Sequence, residues 1–396
     1  MKLMDKVCFH KPITTSREFF QPNKGIKCVH YGDIYKNYSG KTVLSSAIIN
    51  SFTNDIAPEK ILYCDSIIVP DVTETVSDWG HFTYIKFDGT PYINGTHAVA
   101  LTANSPLELQ YIFRYLSSNP NRRRLQTLLN GSTVFQISIK NFSDFNLDKY
   151  QDQAAVQCHI VDILGSIDEK IEFFDSQIKL LEDQGQLLYK DIFESLTIKT
   201  EKIDLAKIAV FQNGYSYSGD ELCEISADCL ATIKNFDRQG GFKIDGFKPI
   251  KVAGKIKPEM YAEVGDLLVA HTDLTQNADI IGNPVLLLNT STYKRVIISM
   301  DLVKVKSNTL SNELLYYILK SKKFKGHALG YCSGTTVLHL NKKALQEYTF
   351  DMPIDKEVIV RLEKQLSVIF DRIKLILKEI EQLKKLKELY LKKFFN

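Results

Sequence analysis

The chain has 396 residues, 44% of them hydrophobic and 24% charged, with a formal net charge of +3. That length predicts two to three domains with enough apolar content for their cores. No apolar run approaches the ~18 residues that would span a bilayer, and the opening MKLMDKVCFHKP lacks the apolar core of an export signal. Seven scattered cysteines without a CxxC pair predict reduced thiols in the cytoplasm rather than a disulfide framework or a zinc knuckle.

Residues 1–150 read as a mixed α/β domain. Residues 27–35 (KCVHYGDIY) and 60–70 (KILYCDSIIVP) are rich in β-branched and aromatic side chains and are predicted strands, as are 81–87 and 97–101 (HAVAL). Ser105-Pro106-Leu107-Glu108 is a capping box with proline at the first helical position. It opens a helix through Tyr111, Ile112, Tyr115 and Leu116, which Asn119-Pro120 stops. The basic run Arg122, Arg123, Arg124 follows, and then the loop Gly131-Ser132-Thr133-Val134-Phe135-Gln136-Ile137.

Residues 151–195 form one long predicted helix. Ile160, Leu164, Ile167, Ile171, Phe174, Ile178 and Leu181 step by four and three, the a/d spacing of a coiled-coil seam. Gly165 and Gly185 interrupt it; Gly185 stands at an a/d-spaced place and reads equally as a site where a partner helix approaches closely or as a tolerated cost of ~1 kcal/mol.

Residues 196–353 repeat the plan of the first domain. Residues 261–270 (YAEVGDLLVA) mirror the strand at 63–69, and 296–305 (VIISMDLVKV) mirror the stretch ending in HAVAL. Leu314, Leu315, Ile318 and Leu319 lie 203 residues beyond Tyr111, Ile112, Tyr115 and Leu116. Lys325 lies equally far beyond Arg122, and Gly334-Thr335-Thr336-Val337-Leu338-His339-Leu340 beyond the Gly131 loop. The first halves differ more: Gly214 to Tyr217 and residues 233–248 have no clean partner before residue 60, and residues 1–25 lack an equivalent of IAVFQNGYSY. Two modules with a shared frame and divergent front ends are expected to read different things.

Residues 354–396 return the long helix. Adding 202 carries the first seam onto Leu362, Leu366, Ile369, Ile373, Ile376, Ile380 and Leu383, with Phe193 falling on Phe395. Residues 151–195 carry ten acids and three bases, while 354–396 carry eleven bases and seven acids. Helices of like pattern and opposite sign are suited to pair with each other. The expected fold is α+β: two mixed α/β domains separated by two long antiparallel coiled-coil helices, with an internal pseudo-twofold repeat. The expected boundaries are 1–150, 151–195, 196–353 and 354–396.

Catalytic motifs are missing. Gly40-Lys41-Thr42 resembles the end of a phosphate loop, but Tyr35 stands where that loop needs its first glycine. There is no GxGxxG, no HExxH, no Asn/Asp-Pro-Pro-aromatic motif, and no acid-x-lysine soon after Pro70-Asp71. The chain is expected to be non-catalytic, with no metal or cofactor of its own. What remains is double-stranded DNA, whose phosphates take Lys and Arg and whose base edges take polar side chains. Arg122, Arg123 and Arg124 in one module and Lys322, Lys323 and Lys325 in the other stand after a helix and before a Gly-Ser/Thr-Thr loop. Ser132, Thr133 and Gln136, with Thr335, Thr336 and His339, complete the expected DNA-contacting set. A rival reading is a coiled-coil scaffold with protein-binding globular modules.

The order of these parts resembles the specificity subunit of type I restriction-modification systems. Residues 160–193 (IVDILGSIDEKIEFFDSQIKLLEDQGQLLYKDIF) are similar to that family's central conserved region. IAVFQNGYSY, IKNFDRQGGF, GDLLVAHTDLTQNADIIGNPVLL and SGTTVLHLNKKALQEYTFDMP resemble its usual blocks. The resemblance implies two target-recognition domains held apart by the helix pair and reading a bipartite, asymmetric target. It also implies two methylation subunits that bind S-adenosylmethionine and dock on the helices, with restriction subunits joining them. Helix pairing and docking would fall to Leu164, Ile167, Ile171, Phe174, Ile178 and Leu181, and to Leu366, Ile369, Ile373, Ile376, Ile380 and Leu383.

Overall fold

The structure, a computed structural model, describes residues 1–21, 24–148, 152–238, 240–274, 277–334 and 337–395. The chain packs as two compact units: Met1–Lys170 with Leu383–Asn396, and Ile171–Gln382. Six helices matter below: α1 (Pro106–Ser117), α2 (Asn119–Gln126), α3 (Ala154–Phe193), α4 (Asn312–Lys320), α5 (Lys322–Leu329) and α6 (Lys356–Phe395). No helix is long and apolar enough to cross a membrane among the described residues.

The first unit is built on a five-stranded sheet in the order Cys8–His10, Ala98–Thr102, Ser66–Pro70, Thr83–Lys86, Thr42–Leu44. The middle strand is buried along its whole length, which is why residues 67–70 are an unbroken apolar run rather than an alternating one. α1 covers this sheet with Leu109, Tyr111, Ile112, Tyr115 and Leu116, while Ile160, Val161 and Leu164 of α3 and Leu391 and Phe395 of α6 close the same core. The Ser105 hydroxyl caps α1 by accepting from the Glu108 amide at 3.4 Å. A smaller sheet runs Ser51–Phe52, Ile26–Val29, Tyr92–Asn94.

The second unit repeats this plan in register. Its main sheet runs Ala209–Asn213, Leu302–Ser307, Leu267–Ala270, Pro284–Leu286. In the first unit the cross-strand ladder passes Phe9, Leu101, Ile67, Tyr84. In the second it passes Phe211, Val305, Leu267, Leu286. A second sheet, Lys248–Pro249, Asp228–Ala231, Arg295–Ile298, Tyr261–Ala262, answers the small sheet of the first unit, with the parallel pair Leu230 and Ile297 standing for Cys28 and Ile93. α4, the end of α3 (Tyr189, Ile192, Phe193) and the start of α6 (Leu362, Leu366, Ile369, Phe370, Ile373) share its core.

Several expectations are corrected. The first module does have an opening strand: Cys8–His10 holds the place of Ala209–Asn213, with Phe9 packed edge-on against Phe142 at 5.8 Å. Its three residues were too short to show an alternation. Residues 27–35 are not one strand. The strand ends at Val29, and the His30 amide then donates to Asp33 Oδ2 at 3.0 Å to start a helical turn. The same turn recurs where the Thr232 amide donates to Asn235 Oδ1 at 2.9 Å, so the front ends share a backbone plan and differ in side chains. Residues 261–270 and 296–305 each divide into two strands that enter different sheets. Asn119 and Pro120 end α1 but also begin α2, so the arginine run is helical, because proline is tolerated in the first turn of a helix.

Both long helices form, each of 40 residues, and their ends are related by the same 202-residue step as the seam. Leu164, Ile167, Phe174, Leu366, Ile369, Ile373, Ile376 and Ile380 are buried; Ile171, Ile178, Leu181 and Leu383 are half-buried. The seam is thus covered by this chain's own residues.

Candidate nucleic-acid interface

The loop after α2 is set by its glycine. Gly131 has φ 135° and sits where a Cβ would strike the Val134 carbonyl, so the chain can turn back on itself only there. The turn pairs Asn130 with Gln136, and Gln136 in turn pairs with Val72, leaving Ser132, Thr133 and the Gln136 side chain exposed. Gly334, with φ 122° and the Val337 carbonyl over it, makes the same turn; Ser333 pairs with His339, and His339 with Thr272. His339 is exposed as Gln136 is, whereas Thr335 and Thr336 lie outside the described residues.

Beside the first loop lies a cleft of about 750 Å³ with Val134 at its rim. Its walls bring together the turn after Val29 (His30, Tyr31, Lys36) and the segment after the central strand (Glu74, Asp78). Tyr31 packs against His30 at 4.5 Å and edge-on against His97 at 5.6 Å, and His97 is tied to Asp71 at 2.8 Å. Tyr35 donates to the Val72 carbonyl at 2.8 Å, and burial pushes its phenol up to about 12. Aromatic faces with exposed lysine and glutamate side chains on the rim suit stacking and base-edge contacts. The sequence alone places His30, Tyr31 and Tyr35 in a strand. Their only advance signal was the density of His, Tyr, Gly and Asp in KCVHYGDIY.

The basic residues divide by what they touch. Arg122 is half-buried over Gly80, and its guanidinium meets the His81 ring, whose pKa falls through burial first and the arginine second. Arg124 holds Asp148 Oδ2 at 2.6 Å and the Asn146 carbonyl at 3.2 Å, and lies over the Phe145 ring at 4.8 Å. Arg123 is exposed and faces a groove of about 780 Å³ with Lys384, Lys385 and Lys392 on its wall. In the second unit the Lys325 ammonium donates to the Ala278 carbonyl, the Ile281 carbonyl and Asn283 Oδ1 at 2.8, 2.7 and 2.8 Å. Burial lowers its pKa, and all three donors are spent inside the fold. Lys322 is exposed, and Lys323 is exposed with Asp351 at 3.4 Å. The matched pair Arg122 and Lys325 therefore sits inward, and the cations beside them face solvent.

Among the described residues no group of three or more His, Cys, Asp or Glu side chains is placed to hold a metal ion. Residues 20–183, which include the cleft, the arginine helix and the first Gly loop, match the family described as the type I restriction modification DNA specificity domain. No curated relative matches the chain. Among solved structures the chain is similar to the S subunit of a type I restriction-modification system from M. genitalium, at 16% identity and TM-score 0.53, covering 100% of this chain and 95% of that one. That likeness gives a shared fold for the whole length. The HsdS subunit from Thermoanaerobacter tengcongensis matches at 15% identity over 92% of each chain, with TM-score 0.32. The family whose model matches is the one expected from the sequence, and the matched span takes in residues 20–150 of the first module but not its first 19 residues, most of the stretch without the family pattern.

Proposed function

We propose that the chain is the DNA specificity subunit of a type I restriction-modification complex. Residues 1–150 and 196–353 are its two target-recognition domains, each reading one part of a bipartite, asymmetric duplex target. α3 and α6 pair antiparallel between them under a pseudo-twofold relation. The observation that carries this reading is the recurrence, in both units, of the Gly turn with its exposed polar strand, in a chain whose residues 20–183 match a specificity-domain family. Arg123, Ser132, Thr133 and Gln136 face DNA in the first module; Lys322, Lys323, Thr335, Thr336 and His339 do so in the second. Arg122, Arg124 and Lys325 hold those surfaces in place.

Methylation and cleavage belong to partner subunits, the methylation subunits binding S-adenosylmethionine. Since the a/d seam is covered, docking falls to another face. Phe173, Leu180 and Leu187 on α3, and Val368, Leu375 and Leu389 on α6, are exposed and lie on seven-residue spacings, as a second helical seam requires. The test is single-molecule sequencing of adenine methylation in cells with and without this gene and its methylation partner. A bipartite motif that disappears with the gene is expected. An unchanged methylation pattern, together with no DNA binding by the reconstituted complex, would return the chain to the scaffold reading.

A further inference from the structure

The two units use different chemistry at one and the same place. In the first, Arg114 of α1 and Lys387 of α6 each donate to one oxygen of Asp168 on α3, Lys387 at 2.6 Å. The Arg114 side chain is only 8% exposed, so its charge is matched inside the core. Along the repeat, Tyr317 stands for Arg114, Phe370 for Asp168 and Gly185 for Lys387. These three also meet. The Tyr317 and Phe370 rings lie 5.9 Å apart, and a Cβ at Gly185 would run into the Tyr317 ring and hydroxyl. The Tyr317 hydroxyl donates to the Glu182 carbonyl at 3.2 Å. An ionic triad in one unit is an aromatic pair over glycine in the other. One turn further along, Lys320 of α4 pairs with Glu182 at 3.4 Å, while the matching positions in the first unit are Ser117 and Lys384.

We propose that these positions are keys that admit each globular module at its own pair of helix ends and reject it at the other. The physical reason is mutual exclusion. Arg114 set against Phe370 and Gly185 would lose the Asp168 carboxylate that it pairs with inside the core, and breaking a buried pair is destabilising. Tyr317 set against Asp168 would strip water from a carboxylate, Lys387 would occupy the space its ring needs, and Lys320 would face Lys384. Backbones in register would otherwise let either module dock at either place, within one chain or between two copies of it. The keys remove that degeneracy. The order in which the modules meet a duplex is then invariant; this consequence alone rests on the proposed function.

The test uses the full-length chain and thermal unfolding. D168F is expected to lower the midpoint of the first unit by about 5 °C or more. R114Y/D168F/K387G, which builds the second unit's key into the first, is expected to recover most of that loss. In the second unit F370D and G185K are each expected to be destabilising, and Y317R/F370D/G185K to recover most of the loss. Where a single variant does not fold, return of soluble, cooperatively unfolding protein in the triple counts as recovery and its absence counts against. Triples no more stable than the sum of their single changes, in either unit, overturn the proposal. So do singles within about 1 °C of the native chain. None of these outcomes depends on DNA binding, so a failed key and a failed recognition reading are told apart.

Discussion

At the scale of single residues, the second unit separates a cation spent inside the fold, Lys325, from cations that face solvent, Lys322 and Lys323. Lys325→Met leaves the Ala278 and Ile281 carbonyls without their donor, and the expected loss is about 1–3 kcal/mol of stability by urea unfolding. Arg123→Ala in the first unit is expected to leave stability unchanged. It should instead lower the slope of log affinity against log salt by about one for the assembled complex. A destabilised Arg123 variant with an unaltered slope would reverse the two roles. His271 adds a pH dependence. It is buried, its Nε2 has no hydrogen-bond partner, and burial with Lys342 nearby pushes its pKa down to about 4 from 6.5. The folded chain therefore holds this imidazole neutral where the unfolded chain protonates it. Its contribution is complete above pH 6.5 and is lost as pH falls toward 4, by at most about 3 kcal/mol. His271→Leu should flatten the acid limb of the stability curve, and an unaltered limb would remove His271 as its cause.

At the scale of elements, the Gly turns and the helix seam make distinct demands. Gly131 and Gly334 combine a positive φ with a carbonyl packed where a Cβ would go. Alanine at either is expected to cost more than the ~1 kcal/mol of an ordinary Gly→Ala strain, and to shift the polar strand that follows. Its signature should be loss of binding to one half-site, with the other retained in a methylation assay. Gly185 shows the same logic inside a helix. A close approach does occur there, but what approaches is Tyr317 of the same unit, not a partner helix. In the seam, Ile373 and Ile376 are fully buried, and truncation of either to alanine is expected to cost about 2–5 kcal/mol by denaturant unfolding. Leu180→Ala or Leu187→Ala, on the exposed stripe, should leave stability intact and weaken association with the methylation subunit.

At the scale of the whole molecule, charge bounds what the chain does alone. A net charge of +3 offers few phosphates a counterion to displace, so the isolated chain should bind DNA weakly and with a shallow salt dependence. Tight binding is expected only when partner subunits close around the duplex. Sub-nanomolar specific binding by the purified chain would contradict this. Replacing residues 196–353 with the corresponding module of a relative should change one half of the methylated motif and leave the other half as it was. A change in both halves would mean that the modules do not read independently.

The long helices and the repeat were legible without coordinates, because periodicity and duplication are properties of a linear string. A seam of alternating three- and four-residue steps needs no partner to be seen, and a 202-residue echo needs no fold. The Gly loops were legible for a related reason: the same residue types recur at the same distance from the same helix. The opening strand at Cys8–His10, the division of residues 261–270 between two sheets and the inward turn of Arg122 and Lys325 were not. Each depends on a hydrogen bond or a packed ring from a residue distant in the chain, as Phe9 depends on Leu101 and Lys325 on Ile281. The keys at Asp168 and Phe370 are the clearest case. In sequence they are two unremarked positions on the flanks of two helices. Only packing against Arg114 and Tyr317 gives them their meaning, because a buried charge and a buried ring cannot trade neighbours.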